Sequence, residues 1–214
     1  AVGEPGAEHR ETIASAAQAA AAGGVTTIAV PPDTDPALDD PALVEWLARR
    51  GEATRSVTLL PVAAATKGCA GKELAEFGLL REAGAVAFSD GNRAIASARS
   101  MRLALGYARA FGMMVVQHPE EPSLATGAAT EGELATRLGL PASPAAAEAI
   151  QVARDIALAR LTGGHVHFAH VSTAAALELI RAAKAEGLRV TCDTAPPYFD
   201  LNETAIGDWR TYAK

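Results

Sequence analysis

The sequence predicts an α/β fold built around a parallel sheet. Six apolar runs of strand length alternate with segments of helical length along the 214 residues, and helical crossovers of that length join parallel strands. Polar residues follow the ends of several runs, as in barrel enzymes, whose chemistry comes from many strand ends. No GxGxxG motif follows a strand, so a dinucleotide-binding open sheet has no support. Two arrangements of the sheet agree with these features, an open doubly wound sheet and a closed (β/α) barrel. The strand-end pattern favours the barrel.

The first helix and strand show the unit from which the fold is built. A loop at residues 1–6 leads to a predicted helix over residues 13–22, which a pair of glycines ends. Residues 25–30 are rich in Val, Thr and Ile, and two prolines followed by Asp33 close this run. That composition and length predict a strand.

The same unit recurs along the rest of the chain. Asp39 or Asp40 caps the next helix, with Pro41 in its first turn, and glycines end several later helices. A longer polar insert, residues 119–144, contains a helical segment. The remaining predicted helices end at Arg50 or span residues 72–83, 96–111, 145–161 and 174–186, and further strands are predicted over residues 57–65, 85–89, 113–116 and 188–192.

Composition limits the classes of function. Hydrophobic residues make up 49% of the chain and charged residues 21%, which predicts an ordered domain with a full core over residues 1–214. The net charge of −6 argues against nucleic acid or an anionic membrane as a partner. No apolar run is long enough to span a bilayer, and no signal peptide opens the chain. Cys69 and Cys192 lie far apart without CxxC spacing, which predicts a reduced, cytoplasmic protein.

The stretch 165–173 is the centre of the functional prediction. It has strand character, it ends where Ser172 or Thr173 can cap the following helix, and it holds three of the five histidines. A lone histidine is more often a hydrogen-bonded core residue than a ligand. Three within six residues at a strand end indicate a site. By the same reasoning, polar residues after other strands are candidates: Asp33, Thr66, Asp90, His118, His170 and Asp193.

Several long motifs resemble those of dihydroorotases, which belong to the amidohydrolase superfamily of metal-dependent barrels. The resemblance runs from Glu4 to Lys214 and rests on these segments: Glu4-Pro-Gly6, Ala22-Gly-Gly-Val-Thr-Thr27, Thr66-Lys-Gly68, Gly71-Lys-Glu-Leu74, Gly84-Ala-Val-Ala-Phe-Ser-Asp90, Gln117-His118, Glu131-Gly132, Arg137-Leu-Gly-Leu-Pro141, Ala153-Arg-Asp155 and His167-Phe-Ala-His-Val-Ser-Thr173.

The resemblance implies a fold and a reaction. The fold would be a metal-dependent-hydrolase-type (β/α)8 TIM barrel, in which the six strands correspond to the second to the seventh. The reaction would be the opening of dihydroorotate, a small cyclic amide, to N-carbamoyl-aspartate in pyrimidine biosynthesis, or its reverse. Asp90, His118 and His170 match metal ligands of the family and would hold zinc, whose bound water becomes a nucleophile near neutral pH. Asp33 falls at a substrate-binding position.

The sequence also departs from the family pattern at several site positions. Ala1 falls at a metal-binding histidine and Gly3 at the substrate-binding arginine. The family's Pro-Asn-Thr becomes Pro32-Asp33-Thr34, and its Thr-Pro-His-His becomes the segment 195–198, Ala-Pro-Pro-Tyr. The catalytic aspartate of the family is expected beyond Lys214, so the resemblance implies a barrel domain that is incomplete at both ends.

Two functions therefore remain open. The first is a zinc-dependent cyclic amide hydrolase, with the acid–base residue outside this sequence. The second is a non-catalytic dihydroorotase homologue that acts as a scaffold or partner of aspartate carbamoyltransferase, in which the retained ligands are hydrogen-bonded remnants. Exposed edges on the second and seventh barrel strands predict a homo-oligomer or a docked partner.

Smaller expectations concern single side chains. Glu120 and Glu121 are predicted to be a solvated carboxylate pair in a loop. Trp46 and Trp209 are predicted to be packing residues.

Overall fold

A six-stranded parallel sheet forms the centre of the computed structural model, which describes residues 2–207. Expectations that concern Ala1 and Trp209 lie outside the described residues. The strands in chain order are β1 (Thr27–Val30), β2 (Thr58–Ala64), β3 (Ala87–Ser89), β4 (Met114–Gln117), β5 (Ala129–Thr130), β6 (Ala142–Ser143), β7 (His165–Phe168) and β8 (Val190–Cys192).

The strand order confirms the predicted parallel α/β architecture. The main sheet runs β1-β2-β3-β4-β7-β8, and each neighbouring pair is parallel. The short strands β5 and β6 pair with each other in a separate sheet. Within residues 2–207, β1 and β8 are the two outermost strands and do not pair with each other. The sheet is therefore open between them.

Helices cross over between successive strands of the sheet, and several of them begin at a residue whose side chain caps the helix. Thr12 and Ser15 form a capping box at the first helix, and Asp40 caps the second with Pro41 in its first turn. The helices are α1 (Ile13–Ala22), α2 (Pro41–Thr54), α3 (Phe77–Glu82), α4 (Ala98–Ala110), α5 (Glu133–Leu138), α6 (Ala146–Thr162), α7 (Ala174–Ala185) and α8 (Pro196–Asp200). Among residues 2–207, none of them has the length and apolarity needed to cross a bilayer.

The third helix begins later than the sequence predicts. The prediction started it at Lys72, whereas α3 starts at Phe77. The preceding residues instead fold back on the end of β2, where the Lys67 N–H donates to the Glu73 carbonyl at 2.8 Å and the Ala75 N–H donates to Ala65 at 3.1 Å. These tertiary hydrogen bonds satisfy the backbone outside a helix, so they override the local helical propensity.

The core lies between the sheet and its helices. The residues that β7 contributes to this core determine which face of the sheet carries His165 and His167. Along β7, Val166 and Phe168 are fully buried in this core. Because successive side chains of a strand point to opposite faces, His165 and His167 lie on the other face of the sheet. Trp46 packs against the core, as predicted.

Candidate functional site

Two of the predicted ligands meet at the carboxyl edge of the sheet. His118 follows β4 and His170 follows β7, and these strands are neighbours, with Gln117 paired to Phe168 in the register. The Nδ1 atom of His118 lies 3.3 Å from the Nε2 atom of His170. The structure therefore brings together two histidines that are far apart in the sequence.

The second ring nitrogen of His118 contacts a carboxylate. Its Nε2 atom lies 3.0 Å from Oε2 of Glu120. Glu120, which lies two residues beyond His118 along the chain, thus contacts the ring through one carboxylate oxygen while its side chain stays 45% exposed to solvent. A carboxylate at Nε2 favours the proton on that nitrogen, which leaves a lone pair on Nδ1 facing His170.

The backbone of His170 adopts an uncommon conformation. Its φ of 44° lies in the left-handed region that residues other than glycine rarely occupy. Its N–H donates to Oδ1 of Asp193, and Oδ2 of Asp193 lies 3.1 Å from Nε2 of His167. Burial, reinforced by the neighbouring His118, lowers the pKa of the His170 imidazole. A lowered pKa favours the neutral ring, which is the form that binds metals.

Asp90, the third predicted ligand, is held by a threonine. Its side chain is buried, and it accepts hydrogen bonds from the Thr66 N–H at 2.9 Å and the Thr66 hydroxyl at 2.6 Å. Burial raises the pKa of Asp90, although the hydrogen bonds from Thr66 act in the opposite direction. Over the described range 2–207, no three His, Cys, Asp or Glu side chains are grouped so that they could hold a metal ion.

Asp33, the predicted substrate-binding residue, lies beside the loop that follows β3. Its Oδ2 atom accepts from the backbone N–H of Asn92 at 3.2 Å and from the Asn92 side-chain amide at 3.0 Å. Asp33 is absent from the linings of the two cavities that border His118, as far as these are described for residues 2–207. The structure therefore places Asp33 in contact with the loop after β3 rather than with the histidine pair.

Two cavities border the histidine pair. The larger has a volume of about 1100 Å³ and is walled by the insert with β5 and β6 on one side and by α8 on the other. Its lining includes both histidines, Glu148 and Tyr198, and the charged residues that line it within the described range are acidic. The smaller cavity, about 360 Å³, is lined by His118, Glu120 and Arg93 among others. Among the described residues, a cationic side chain thus lines only the smaller of these two cavities.

The spacing of the two ring nitrogens suits a zinc ion. Tetrahedral zinc with Zn–N bonds of about 2.0–2.1 Å holds two ligand nitrogens about 3.3 Å apart. The His118 and His170 nitrogens that face each other lie at 3.3 Å. The distance therefore fits two positions of such a site, and it equally fits a direct hydrogen bond between the two rings.

A buried polar network lies beneath His118. Gln117, its chain neighbour, donates from Nε2 to Oδ2 of Asp155 at 2.9 Å, and its Oε1 accepts from the Ile95 N–H at 3.0 Å. Arg154 donates from Nε to Oδ1 of Asp155 at 2.8 Å. This network connects the end of β4 with α6 and with the loop after β3, and so it fixes the strand end from which His118 projects.

Three residues near the histidine pair make contacts that the sequence does not predict. Glu120 is expected only as a solvated carboxylate, Asp193 is a strand-end candidate without a role, and Glu148 is not among the candidates. Glu148 accepts from the hydroxyl of Thr173 at 2.7 Å. The spacing of Glu120 from His118 offered a signal, because residues two apart in an extended segment share a side.

Comparison with known proteins gives consistent results. The family described as "Dihydro-orotase-like" matches residues 1–176. A dihydroorotase from Geotalea daltonii is 45% identical over 212 residues, which are 99% of this chain and 50% of that protein. A dihydroorotase from Pelotomaculum thermopropionicum is 47% identical over 99% of this chain and 49% of its own length. The chain thus spans about half the length of the curated relatives it matches.

Solved structures show the same fold. The L-hydantoinase (dihydropyrimidinase) from Arthrobacter aurescens superposes with a TM-score of 0.69 at 22% identity over 86% of this chain and 43% of that one. A Saccharomyces cerevisiae dihydroorotase in complex with 5-fluoroorotic acid gives a TM-score of 0.62 at 13% identity over 87% and 52%. These likenesses confirm the predicted amidohydrolase-type TIM-barrel class, of which the parallel sheet forms a half-barrel.

Proposed function

Because the chain belongs to the dihydroorotase-like family, we propose that its protein is a zinc-dependent cyclic amide hydrolase acting on dihydroorotate. The observation that supports this most is the 3.3 Å approach of His118 Nδ1 to His170 Nε2 at the ends of adjacent strands. Dihydroorotate would be opened to N-carbamoyl-aspartate, or formed from it, in cytoplasmic pyrimidine biosynthesis.

The proposal gives each site residue a role. His118 and His170 would hold zinc, and Glu120 would orient the His118 ring through Nε2. When bound, zinc would polarise the amide carbonyl and lower the pKa of a bound water. Asp90 is the proposed third ligand, and it would have to move toward the histidine pair, because no three such side chains are grouped for a metal ion in the described residues. Its hydrogen bonds to Thr66 do not exclude this, since a carboxylate oxygen keeps a further lone pair after accepting one hydrogen bond.

The surroundings of the histidine pair suit a small polar ring. The larger cavity offers hydroxyl groups of Ser172, Thr173 and Tyr198 along its lining, and such groups orient amide substrates by hydrogen bonding. We propose that Asp33 acts on the substrate side indirectly, by orienting Asn92, which lines the smaller cavity.

One observation favours the second candidate, a non-catalytic homologue that serves as a scaffold or a partner of aspartate carbamoyltransferase. Gly3 occupies the position of the family's substrate-binding arginine. A Cβ atom at residue 3 would lie 2.3 Å from the carbonyl oxygen of Ala7 and 2.9 Å from that of Glu11. No side chain fits there in this backbone conformation. The bidentate arginine–carboxylate contact that anionic dihydroorotate would use is therefore missing at this position.

Zinc binding and hydrolysis separate the two candidates. We would measure zinc affinity and dihydroorotate hydrolysis for the natural protein and for H118A, H170A and H9A. His9 is exposed and lies in a turn before α1, so H9A serves as the control. We expect H118A and H170A to weaken zinc binding by more than the roughly 10–100-fold that outer-shell substitutions cost, and H9A to leave it unchanged.

Each outcome has a distinct meaning. Native zinc affinity in both H118A and H170A would refute the histidine-pair site. Histidine-dependent zinc binding with dihydroorotate turnover supports the hydrolase. Histidine-dependent binding without turnover supports the non-catalytic homologue.

A further inference from the structure

The loop that carries His170 is held by several side-chain hydrogen bonds. It comprises residues 169–173 between β7 and α7, and we call it the His170 loop. His170 itself has a φ of 44°, which an L-residue keeps only when its surroundings impose it. The contacts that hold this loop therefore determine where the His170 ring points.

Asp193, just beyond β8, holds one side of the His170 loop. Its Oδ1 atom accepts the N–H of His170, the residue with the uncommon backbone. Its main chain adds two bonds, since the Asp193 N–H donates to Phe168 at 3.1 Å and the Val171 N–H donates to the Asp193 carbonyl at 2.9 Å. The main-chain bonds would survive a change of side chain at 193, whereas the bond to His170 requires an acceptor there.

The carboxylate of Asp193 is itself held in place. Its Oδ2 atom lies 3.1 Å from Nε2 of His167, whose Nδ1 lies 2.8 Å from the hydroxyl of Thr191. His167 is 18% exposed and projects from the same face of the sheet as Thr191, its partner in the register of β7 and β8. The acceptor for His170 is therefore oriented by His167, which contacts Thr191 in turn, although the Asp193 side chain itself is 58% exposed.

Glu148, in the first turn of α6, holds the other end of the His170 loop. Its carboxylate accepts from the N–H and hydroxyl of Ser172 at 3.0 and 2.8 Å, and from the N–H and hydroxyl of Thr173 at 2.9 and 2.7 Å. These donors lie at the N-terminus of α7, where a negative charge is favourable. The carboxylate thus connects α6 to the start of α7 across the loop.

We infer that Asp193 and Glu148 form a two-sided carboxylate clamp on the His170 loop, and that this clamp positions His170 against His118. Both carboxylates bind N–H or hydroxyl groups of the loop rather than the His118 or His170 ring, so both act through the loop. They are positioning residues and not ligands. The inference rests on the proposed function only for its metal-binding readout.

The first readout is zinc affinity. Loss of outer-shell partners typically weakens metal binding about 10–100-fold, and we expect a change of that size in D193A and in E148A. D193N keeps a side-chain oxygen that can accept the His170 N–H, so we expect it to bind zinc within a few-fold of the native protein. E178A is the control, because Glu178 lies on α7 in an exposed pair with Arg181 and does not contact the loop.

The second readout needs no metal. Amide hydrogen exchange in the metal-free protein should be at least about tenfold faster at His170 in D193A and at Ser172 and Thr173 in E148A, because each variant removes the acceptor of those N–H groups. Exchange in the strands of the sheet should stay native. This pattern would show loss of the clamp without loss of the fold.

The two readouts distinguish a failure of the proposed function from a failure of the carboxylate clamp. If the native protein binds no zinc, the proposed function fails, and the exchange pattern still decides the clamp. If D193A does not fold, E148A and D193N decide it. Native exchange at His170, Ser172 and Thr173 in folded variants, or native zinc affinity in both alanine variants, would overturn the inference.

Discussion

Gly91 and Asp33 share one confined space at the carboxyl edge of the sheet. Gly91 has a φ of 67°, and a Cβ atom there would lie 2.3 Å from Cγ of Asp33. Asp33 is fixed in turn by its two hydrogen bonds from Asn92. Residue 91 must therefore be glycine for two separate reasons, its backbone conformation and its contact with Asp33.

A pair of alanine substitutions separates these two reasons. Gly112 has a similar φ of 69°, and a Cβ there would meet nothing within 4 Å. We expect G112A to lower the free energy of unfolding by about 1 kcal/mol, through backbone strain alone. G91A should cost about 1–2 kcal/mol more, because Asp33 must move and lose its bonds to Asn92. Urea unfolding of both variants measures the difference, and equal losses would contradict the close contact.

Single residues also show which features of the site can be predicted from the sequence. His118 and His170 were predicted because a polar residue after a buried strand leaves a clear pattern. The contacts of Glu148 and Asp193 leave none, since they depend on side-chain rotamers across loops from distant parts of the chain. Asp90 shows the same limit: its position was predicted, but its bonds to Thr66 follow from how closely β2 and β3 pack.

At the scale of elements, Asp155 couples α6 to β4. Its side chain is fully buried, and burial raises its pKa to about 6, with the adjacent Arg154 guanidinium offsetting the shift only in part. The folded-state pKa thus exceeds the ordinary value of 3.8. Stability from this group is then fully present below pH 3.8 and is lost as the pH rises through about 6.

The variant D155N tests whether the stability contributed by Asp155 falls as the pH rises. The free energy of unfolding of the native protein, relative to D155N, should fall by up to about 3 kcal/mol between pH 4 and pH 7, because a shift of one pKa unit corresponds to about 1.4 kcal/mol. Thermal or urea unfolding across that range gives the difference directly, and titrations of the other carboxylates cancel in it. A difference that is flat or rises with pH would show that Arg154 outweighs burial.

The boundaries of helices can be predicted where they depend on neighbouring residues in the sequence. The cap at Asp39 or Asp40 and the glycines after the helices are signals of this kind, and Asp40 is the residue that caps α2. The predicted start of α3 was wrong because the residues before Phe77 form backbone hydrogen bonds with the end of β2. This is a tertiary effect, which local sequence patterns do not show. The strands β5 and β6 are too short to show any periodicity.

For the whole molecule, the open sheet is the dominant feature. The outermost strands β1 and β8 each pair on one side only in the described residues, and Ala29 on β1 is exposed. Unpaired strand edges tend to pair with other chains. The alternation of helices and strands predicts the parallel order, and the resemblance to eight-stranded barrels predicts that β1 and β8 do not pair with each other, as is found in the described residues.

We therefore expect the 214-residue chain to self-associate in solution. Sedimentation equilibrium should give a mass above 21.9 kDa that increases with concentration. A29K places a charge on the edge strand and should reduce the association, whereas A19K, on the exposed side of α1, should not. A single species of 21.9 kDa at all concentrations would refute the expectation, and equal effects of both lysines would exclude the β1 edge.

The direct pairing of β4 with β7 has a consequence for how such a protein can diversify. The chain leaves the sheet after β4 and returns to the neighbouring strand, so the insert at residues 119–144 lies outside the hydrogen-bonded frame. The frame places the two histidines, whereas the insert shapes one wall of the cavity above them. Long surface insertions cost little in chain entropy. Natural variation can therefore change this cavity wall while the strand ends that position His118 and His170 stay unchanged.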